Sequence, residues 1–291
     1  VKTWLAHRFV ALLERTASWS FAGRARLGRV LGRLLWWVAV PRRRVTLTNL
    51  ALCFPELSEG ERRALGRRCF DMLARAFIDH GWLARASRAE FERAVRIEGA
   101  HWLRDHPGRP TLLVAPHFAG LDAGGLAVNT LLRGVNIYAR TRNPAWDRWL
   151  LGIRGRFNTP LLIPRKGFDL RAVVRAVKDG LPFFVPPDQD PGDRNGIFVP
   201  FFGQSAATAP MVPRLARMTG ARVILCVIEM TDTGYVLHLE APWEDYPTDS
   251  VEADTARMNA EIERWVRRLP EQYLWTHRRF KTRPAGEASF Y

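Results

Sequence analysis

Residues 111–122 read TLLVAPHFAGLD, and this stretch decides the architecture. Its first five residues are a short unbroken apolar run, the pattern of a strand buried within an α/β sheet. His117 then falls at the carboxyl end of that strand, where such sheets place their ligands. Gly120 supplies a tight turn, and Asp122 opens the helix that follows.

Downstream, the same alternation continues. Candidate strands lie at 111–115, 135–139, 160–163, 182–185, 222–229 and 235–240, with helices expected at 121–132, 144–155, 168–178 and 207–219. Residues 230–234 are short enough to close an antiparallel hairpin between the last two strands. The expected fold is α/β, a mixed, mostly parallel sheet flanked by helices.

Upstream, the first ninety or so residues lack strand alternation and read as helices, at 4–16, at 25–40, in a basic stretch from Arg42, and after Ser58. Ser58 and Glu61 form a capping box ahead of Leu65, Cys69, Met72, Leu73 and Phe77 at helical spacing. In the second helix Arg26, Arg29 and Arg33 share one face and apolar residues cover the rest. Trp4, Trp19, Trp36 and Trp37, followed by Arg42, Arg43 and Arg44, are the rings and charges enriched at membrane interfaces. The plainer alternative is a helix packed on the rest of the fold with its arginines solvated. The expected organisation is therefore residues 1–57 as N-terminal membrane-attachment helices and residues 58–291 as the catalytic domain.

The chain has 291 residues, 47% hydrophobic and 25% charged, a globular composition. Its net charge of +15 favours an anionic partner or surface, whether nucleic acid or the cytoplasmic face of a membrane. Of its 44 basic residues only Lys2, Lys166, Lys178 and Lys281 are lysine, a bias that GC-rich coding could produce alone. Nucleic-acid recognition motifs are lacking, which argues against that partner. Cys53, Cys69 and Cys226, widely spaced among apolar residues, read as buried thiols in a reducing compartment, neither a disulfide framework nor a metal site. No run of 18 uncharged apolar residues is present. His7 and Arg8 interrupt the first apolar run, which is unlike a secretory signal.

His117 and Asp122 are the candidate catalytic residues. Folded back across Gly120, the Asp122 carboxylate would hold the Nδ1 proton and leave Nε2 free to take a proton from a substrate hydroxyl. No Gly-x-Ser-x-Gly elbow supplies a protein nucleophile. A histidine near a carboxylate is often only a structural pair, so context matters. Two basic clusters, Arg140 with Arg142 and Arg165 with Lys166, follow successive strands and suit phosphate oxygens. The fourth strand runs into Asp188, Gln189 and Asp190, a polar turn whose acids suit a substrate amine or hydroxyl, or else lock the arginines. Residues 198–203 (FVPFFG) read as an aromatic, loop-like wall for an acyl chain, with core packing the ordinary alternative for some of the rings.

Together NLALCFP (49–55), the His117 to Asp122 spacing, PDQD (187–190), FVPFFG and PEQYLWTHRRFKTRP (270–284) resemble the bacterial lipid A late acyltransferases, within the larger His-x-x-x-x-Asp acyltransferase group. The resemblance implies transfer of an acyl chain from acyl carrier protein to a hydroxyl of a Kdo-bearing lipid A precursor. It implies the cytoplasmic face of the inner membrane, His117 as general base, Asp122 as its orienting partner, and neither metal nor cofactor. Arg140, Arg165 and Asp188 match less strictly defined positions. The Phe-Pro-Glu-Gly block of glycerol-3-phosphate acyltransferases is not found after the fourth strand, which argues against glycerol phosphate as acceptor. Other acceptors with the same chemistry are a lyso-ornithine lipid, a phosphatidylinositol mannoside or a lysophospholipid. A non-enzymatic membrane-surface protein would share the N-terminus but not depend on His117.

Overall fold

The computed structural model describes residues 2–291. Four helices come first: α1 (Lys2–Arg15), α2 (Phe21–Val38), α3 (Val40–Cys53) and α4 (Glu59–Arg85). The Ser58–Glu61 capping box forms as expected, the Glu61 carboxylate accepting from the Ser58 N–H at 2.8 Å. The short α5 (Arg88–Ala94) leads to β1 (Val95–Glu98) and α6 (His101–Arg104).

Then come β2 (Thr111–Val114), α7 (Leu121–Leu131), β3 (Val135–Tyr138), α8 (Pro144–Arg154), β4 (Leu161–Pro164), α9 (Leu170–Lys178) and β5 (Phe183–Val185). A hairpin of β6 (Ile197–Phe201) and β7 (Gln204–Thr208) precedes α10 (Met211–Thr219), β8 (Arg222–Thr231), β9 (Gly234–Leu239) and α11 (Val251–Arg268).

Seven strands form one sheet in the order β1-β9-β8-β2-β5-β3-β4. Every pairing is parallel except the β8–β9 hairpin, so the mixed, mostly parallel sheet is as expected. α7 and α8 carry the chain outward to β4, while α9 and α10 carry it back toward β8. Right-handed crossovers therefore put the two pairs of helices on opposite faces. Contacts agree: α7 touches α8 and α8 touches α1 and α4, whereas α9 and α11 both touch α10. The connections from the adjacent parallel strands β2 and β5 leave to opposite sides, toward β3 and toward β8, and a crevice at their carboxyl ends follows.

Two expectations are corrected. FVPFFG is not a loop but β6 with its turn, Phe202 and Gly203 taking positive φ of 51° and 71°. The helix expected from residue 207 starts at Met211, because residues 204–208 pair with β6.

The buried stripe of α2 is Arg24, Gly28, Gly32 and Trp36, set four residues apart. The missing side chains let α2 lie against α4: a methyl group on Gly32 would sit 2.5 Å from the Asp71 Cα, and one on Gly28 2.7 Å from the Arg75 Cβ. Arg24 donates to Asp79 at 2.6 Å, and the Tyr235 hydroxyl donates to the other Asp79 oxygen at 2.6 Å, tying α2, α4 and β9 together below the surface. Because the small-residue stripe turns inward, the apolar residues of α2 turn outward: Val30, Leu34, Leu35, Trp37 and Val38 are exposed, as are Trp4, Leu5, Phe9 and Leu12 of α1. Among the described residues no helix is long and apolar enough to cross a membrane.

Candidate active site

β2 and β5 are paired Leu112 to Phe183, Leu113 to Phe184 and Val114 to Val185. Continued past the strand ends, the same register sets His117 opposite Asp188. The Asp188 carboxylate takes His117 at two points: the backbone N–H donates to Oδ2 at 2.9 Å, and ring Nδ1 lies 2.7 Å from Oδ1. Burial alone would raise the Asp188 pKa, but the His117 ring and its hydrogen bonds outweigh burial and hold it down at about 2. An ionised acceptor requires the proton on Nδ1, so in the neutral ring the Nε2 lone pair is the free one. The Gln189 amide nitrogen lies 3.0 Å from that Nε2 and donates to it. The Tyr273 hydroxyl also bonds Asp188, and its own pKa is raised well above the ordinary value, by burial first and then by the carboxylate.

The bond expected between Asp122 and His117 is not made. Asp122 Oδ1 accepts from Arg154 Nε at 2.7 Å, and Oδ2 is 2.9 Å from His80 Nε2 and 3.2 Å from Arg154 Nη2. Burial opposes ionisation of Asp122, but the Arg154 charge and the His80 contact keep its carboxyl far below the usual range. His80 Nδ1 faces the Ala76 carbonyl at 2.9 Å, so both ring nitrogens point at acceptors, an arrangement that favours the imidazolium. Burial lowers the His80 pKa, yet the Asp122 hydrogen bond and charge raise it overall. The physical reason for the correction is geometric: α7 starts at Leu121 and carries Asp122 toward α4 and α8, away from the strand end that holds His117.

The other motifs meet around this loop. The Ala119 N–H donates to the Gln272 carbonyl at 2.7 Å, and the Leu274 N–H to the His117 carbonyl at 3.0 Å, so residues 272–274 brace both sides of His117. Asn49 donates to the Trp275 and His277 carbonyls, each at 2.8 Å. Asp190 accepts from the Thr282 N–H at 2.7 Å and its hydroxyl at 2.8 Å, while the Asp190 N–H donates to His277 Nε2 at 3.1 Å. Burial keeps His277 neutral, lowering its pKa to about 4.

His117, Asp122 and Gln189 border a cavity of about 780 Å³, within the range of ligand-holding clefts. β3 and β5 pair over only Val135/Phe183 and Asn136/Phe184 while β3 runs on to Tyr138. That divergence opens the sheet, so the cavity is lined from both helical layers: Leu126 and Leu150 on one side, Leu170 and Leu215 on the other. Among the described residues lining it there is no serine or cysteine, and the Thr141 hydroxyl is spent on the Asn143 carbonyl. All three cysteines are free and buried, and burial pushes each thiol far above its ordinary pKa, so none is a ready thiolate.

Of the basic residues singled out in the sequence, Arg165 borders the cavity. Arg140, Arg142 and Lys166 are exposed and do not line it, and Arg140 instead reaches the Tyr138 hydroxyl. Two lining cations, Arg154 and Arg214, escaped the sequence reading. Arg154 lies at the end of α8 with no local signature, and only the tertiary packing of α7 against α8 reveals its partner.

A carboxylate-bonded histidine at the edge of a largely apolar cavity, with no serine or cysteine among the described lining residues, suits acyl transfer, and sequence relatives identify the class. A profile described as "Bacterial lipid A biosynthesis acyltransferase" matches residues 1–282, and the chain belongs to that family. It is 34% identical to the lipid A biosynthesis lauroyltransferase of Escherichia coli K12, over 91% of this chain and 88% of that one. It is also 34% identical to the palmitoleoyltransferase of the same organism, over 91% and 87%, and 29% to its myristoyltransferase, over 92% and 82%. The protein is an acyltransferase, and its family acts in lipid A biosynthesis.

Proposed function

We propose that the protein moves a fatty acyl chain from acyl carrier protein to a hydroxyl of a Kdo-bearing lipid A precursor, at the cytoplasmic face of the inner membrane. His117 is the general base, and Asp188, not Asp122, orients it. The acceptor hydroxyl displaces the Gln189 amide from Nε2 and gives up its proton there as its oxygen attacks the thioester carbonyl. The tetrahedral oxyanion collapses to the ester and expels the carrier's thiolate, which takes the proton back from His117. No acyl-enzyme forms. The observation that supports this reading is the Asp188–His117–Gln189 line, in which the Asp188 carboxylate favours the tautomer with Nε2 as the basic nitrogen at the cavity.

Membrane attachment in this proposal falls to α1 and α2, whose outward residues include exposed Trp4, Leu34 and Trp37. A small-residue stripe buries α2 against α4 and leaves Val30, Leu34, Leu35 and Val38 exposed on its outer side, beside Trp37, over whose ring the Arg43 guanidinium lies. Asp122 with Arg154 and His80 shapes the cavity wall rather than the base.

The test is mass spectrometry of products from purified enzyme, acyl carrier protein donors of several chain lengths and a Kdo-bearing tetra-acylated lipid A precursor. Wild type is expected to add one acyl chain and a folded His117→Ala variant none. Equal activity of the two proteins overturns the base assignment. Action only on another lysolipid keeps the chemistry and removes the proposed acceptor.

A further inference from the structure

Where α9 and α10 border the cavity, large apolar side chains stand open to solvent beside unpaired cations. Leu170 is 42% exposed and Met218 47%, and both line the cavity. Arg165, Lys166, Arg171, Arg175 and Arg214 are exposed around them. Some surface arginines elsewhere pair with carboxylates about one helical turn away: Arg63 with Glu59, Arg88 with Glu92 and Arg264 with Glu261. None of the five cations is so paired among the described residues. The acids nearest in sequence sit at the two ends of α9, and Asp169 is occupied there, accepting from the Ala172 N–H at 2.9 Å.

Unpaired like charges left beside exposed apolar side chains cost self-repulsion and hydration, and both costs are relieved when an acidic, partly apolar surface covers them. The rim also lies in the α9–α10 layer, across the sheet from the layer that α1 joins through α4 and α8. The exposed tryptophans Trp4, Trp19 and Trp37 and the long apolar stripe belong to the N-terminal region, so the α9–α10 edge is the poorer lipid-facing surface. It is the better protein-facing one.

We infer that the α9–α10 edge is the docking surface for an acidic acyl carrier protein, which delivers its thioester into the cavity between Leu170 and Met218. This rests on the donor assignment made above. Arg171 and Arg175 lie one turn apart on the outer face of α9, do not line the cavity, and act by attracting the carrier. Arg165 and Arg214, at the cavity itself, guide the arm that enters.

The experiment compares wild type with Arg171→Glu/Arg175→Glu, using one acyl chain offered either on acyl carrier protein or on free pantetheine. At low ionic strength the variant is expected to show a KM for the carrier-borne donor raised about tenfold, with the gap closing in high salt. Turnover of the pantetheine thioester should match wild type, which also shows that the variant is folded. Binding to phosphatidylglycerol vesicles should not change. If wild type prefers the carrier-borne donor and the variant keeps that preference in full, the carrier docks elsewhere and the inference fails. A variant that loses vesicle binding while keeping its KM for the carrier assigns this edge to lipid and likewise overturns it. Wild type that uses both thioesters equally well refutes the donor assignment itself, and the docking surface with it.

Discussion

His117 and Asp188 face one another because β2 and β5 are adjacent and in register: each residue stands three positions beyond the Val114–Val185 pair. The buried carboxylate bonds both the backbone and the ring of the histidine, so it sets the rotamer and the tautomer together. Asp122, five residues from His117 in sequence, is spent on His80 and Arg154.

Replacing Asp188 with Asn retains the shape but offers no ionised acceptor for Nδ1–H, and the ring can settle in the wrong tautomer. Positioned general bases contribute roughly 10²–10⁴-fold, so Asp188→Asn is expected to lower kcat by about 10²-fold or more with a small change in KM. Asp122→Asn acts through Arg154 and the cavity wall and should move KM as well as kcat. Steady-state kinetics on both variants decides the matter: a near-normal kcat for Asp188→Asn would sink the orienting role proposed for that residue.

His80 and Asp122 form a partly buried ion pair whose strength depends on pH. The folded His80 pKa is raised above its ordinary 6.5, so the pair's contribution is complete below about pH 6.5 and is lost as pH rises through the folded value. A hydrogen bond to a charged group is worth roughly 1.5–3 kcal/mol. His80→Ala should therefore melt lower than wild type at pH 6, and the difference in Tm should narrow by pH 8.5. A constant gap across that range would mean that the ring does not change its charge there.

Much of this site was legible before any coordinates, and the part that was not has a common cause. The strand runs ending at Ala115 and Val185 announce themselves by composition, and so do His117 and the Asp188–Gln189 turn. Which strands are neighbours does not, since β2 meets β5 only after the chain has made two further strands and three helices. Lacking that adjacency, the sequence reading paired His117 with the nearest carboxylate in the chain. β1 escaped because an edge strand reading VRIE carries no run of buried residues. The aromatic FVPFFG concealed a hairpin whose pairing only its partner QSAAT reveals. In α2 the reading weighed apolar against charged faces and overlooked the glycine stripe that the packing uses.

That stripe makes a direct prediction. Gly32 stands so close to Asp71 that any side chain must push α2 from α4. Overpacking of this kind costs about 1–3 kcal/mol or more. Gly32→Val should lower the Tm by several degrees, while Val30→Ala, on the exposed side of the same helix, should leave it nearly unchanged. Thermal melts of the two variants distinguish close helix contact from loose association, in which the glycine substitution would be tolerated.

The exposed side of α2 is open to the complementary test. Leu34, Trp37 and Val38 are 57%, 65% and 64% exposed, so replacing them with serine removes little packing within the fold. If they enter a bilayer interface, each forfeits apolar burial worth on the order of 1 kcal/mol, and together they weaken binding by about 10²-fold. Leu34→Ser/Trp37→Ser/Val38→Ser should thus stay in the supernatant when sedimented with phosphatidylglycerol vesicles that carry the wild type down, at an unchanged Tm. Activity toward acceptor presented in vesicles should fall in parallel, and activity toward acceptor dispersed in detergent should not, because His117 and Asp188 are untouched. A triple variant that still sediments with vesicles would move the attachment site away from α2. A variant that loses activity in detergent as well would tie this face to the catalytic fold instead of the lipid surface.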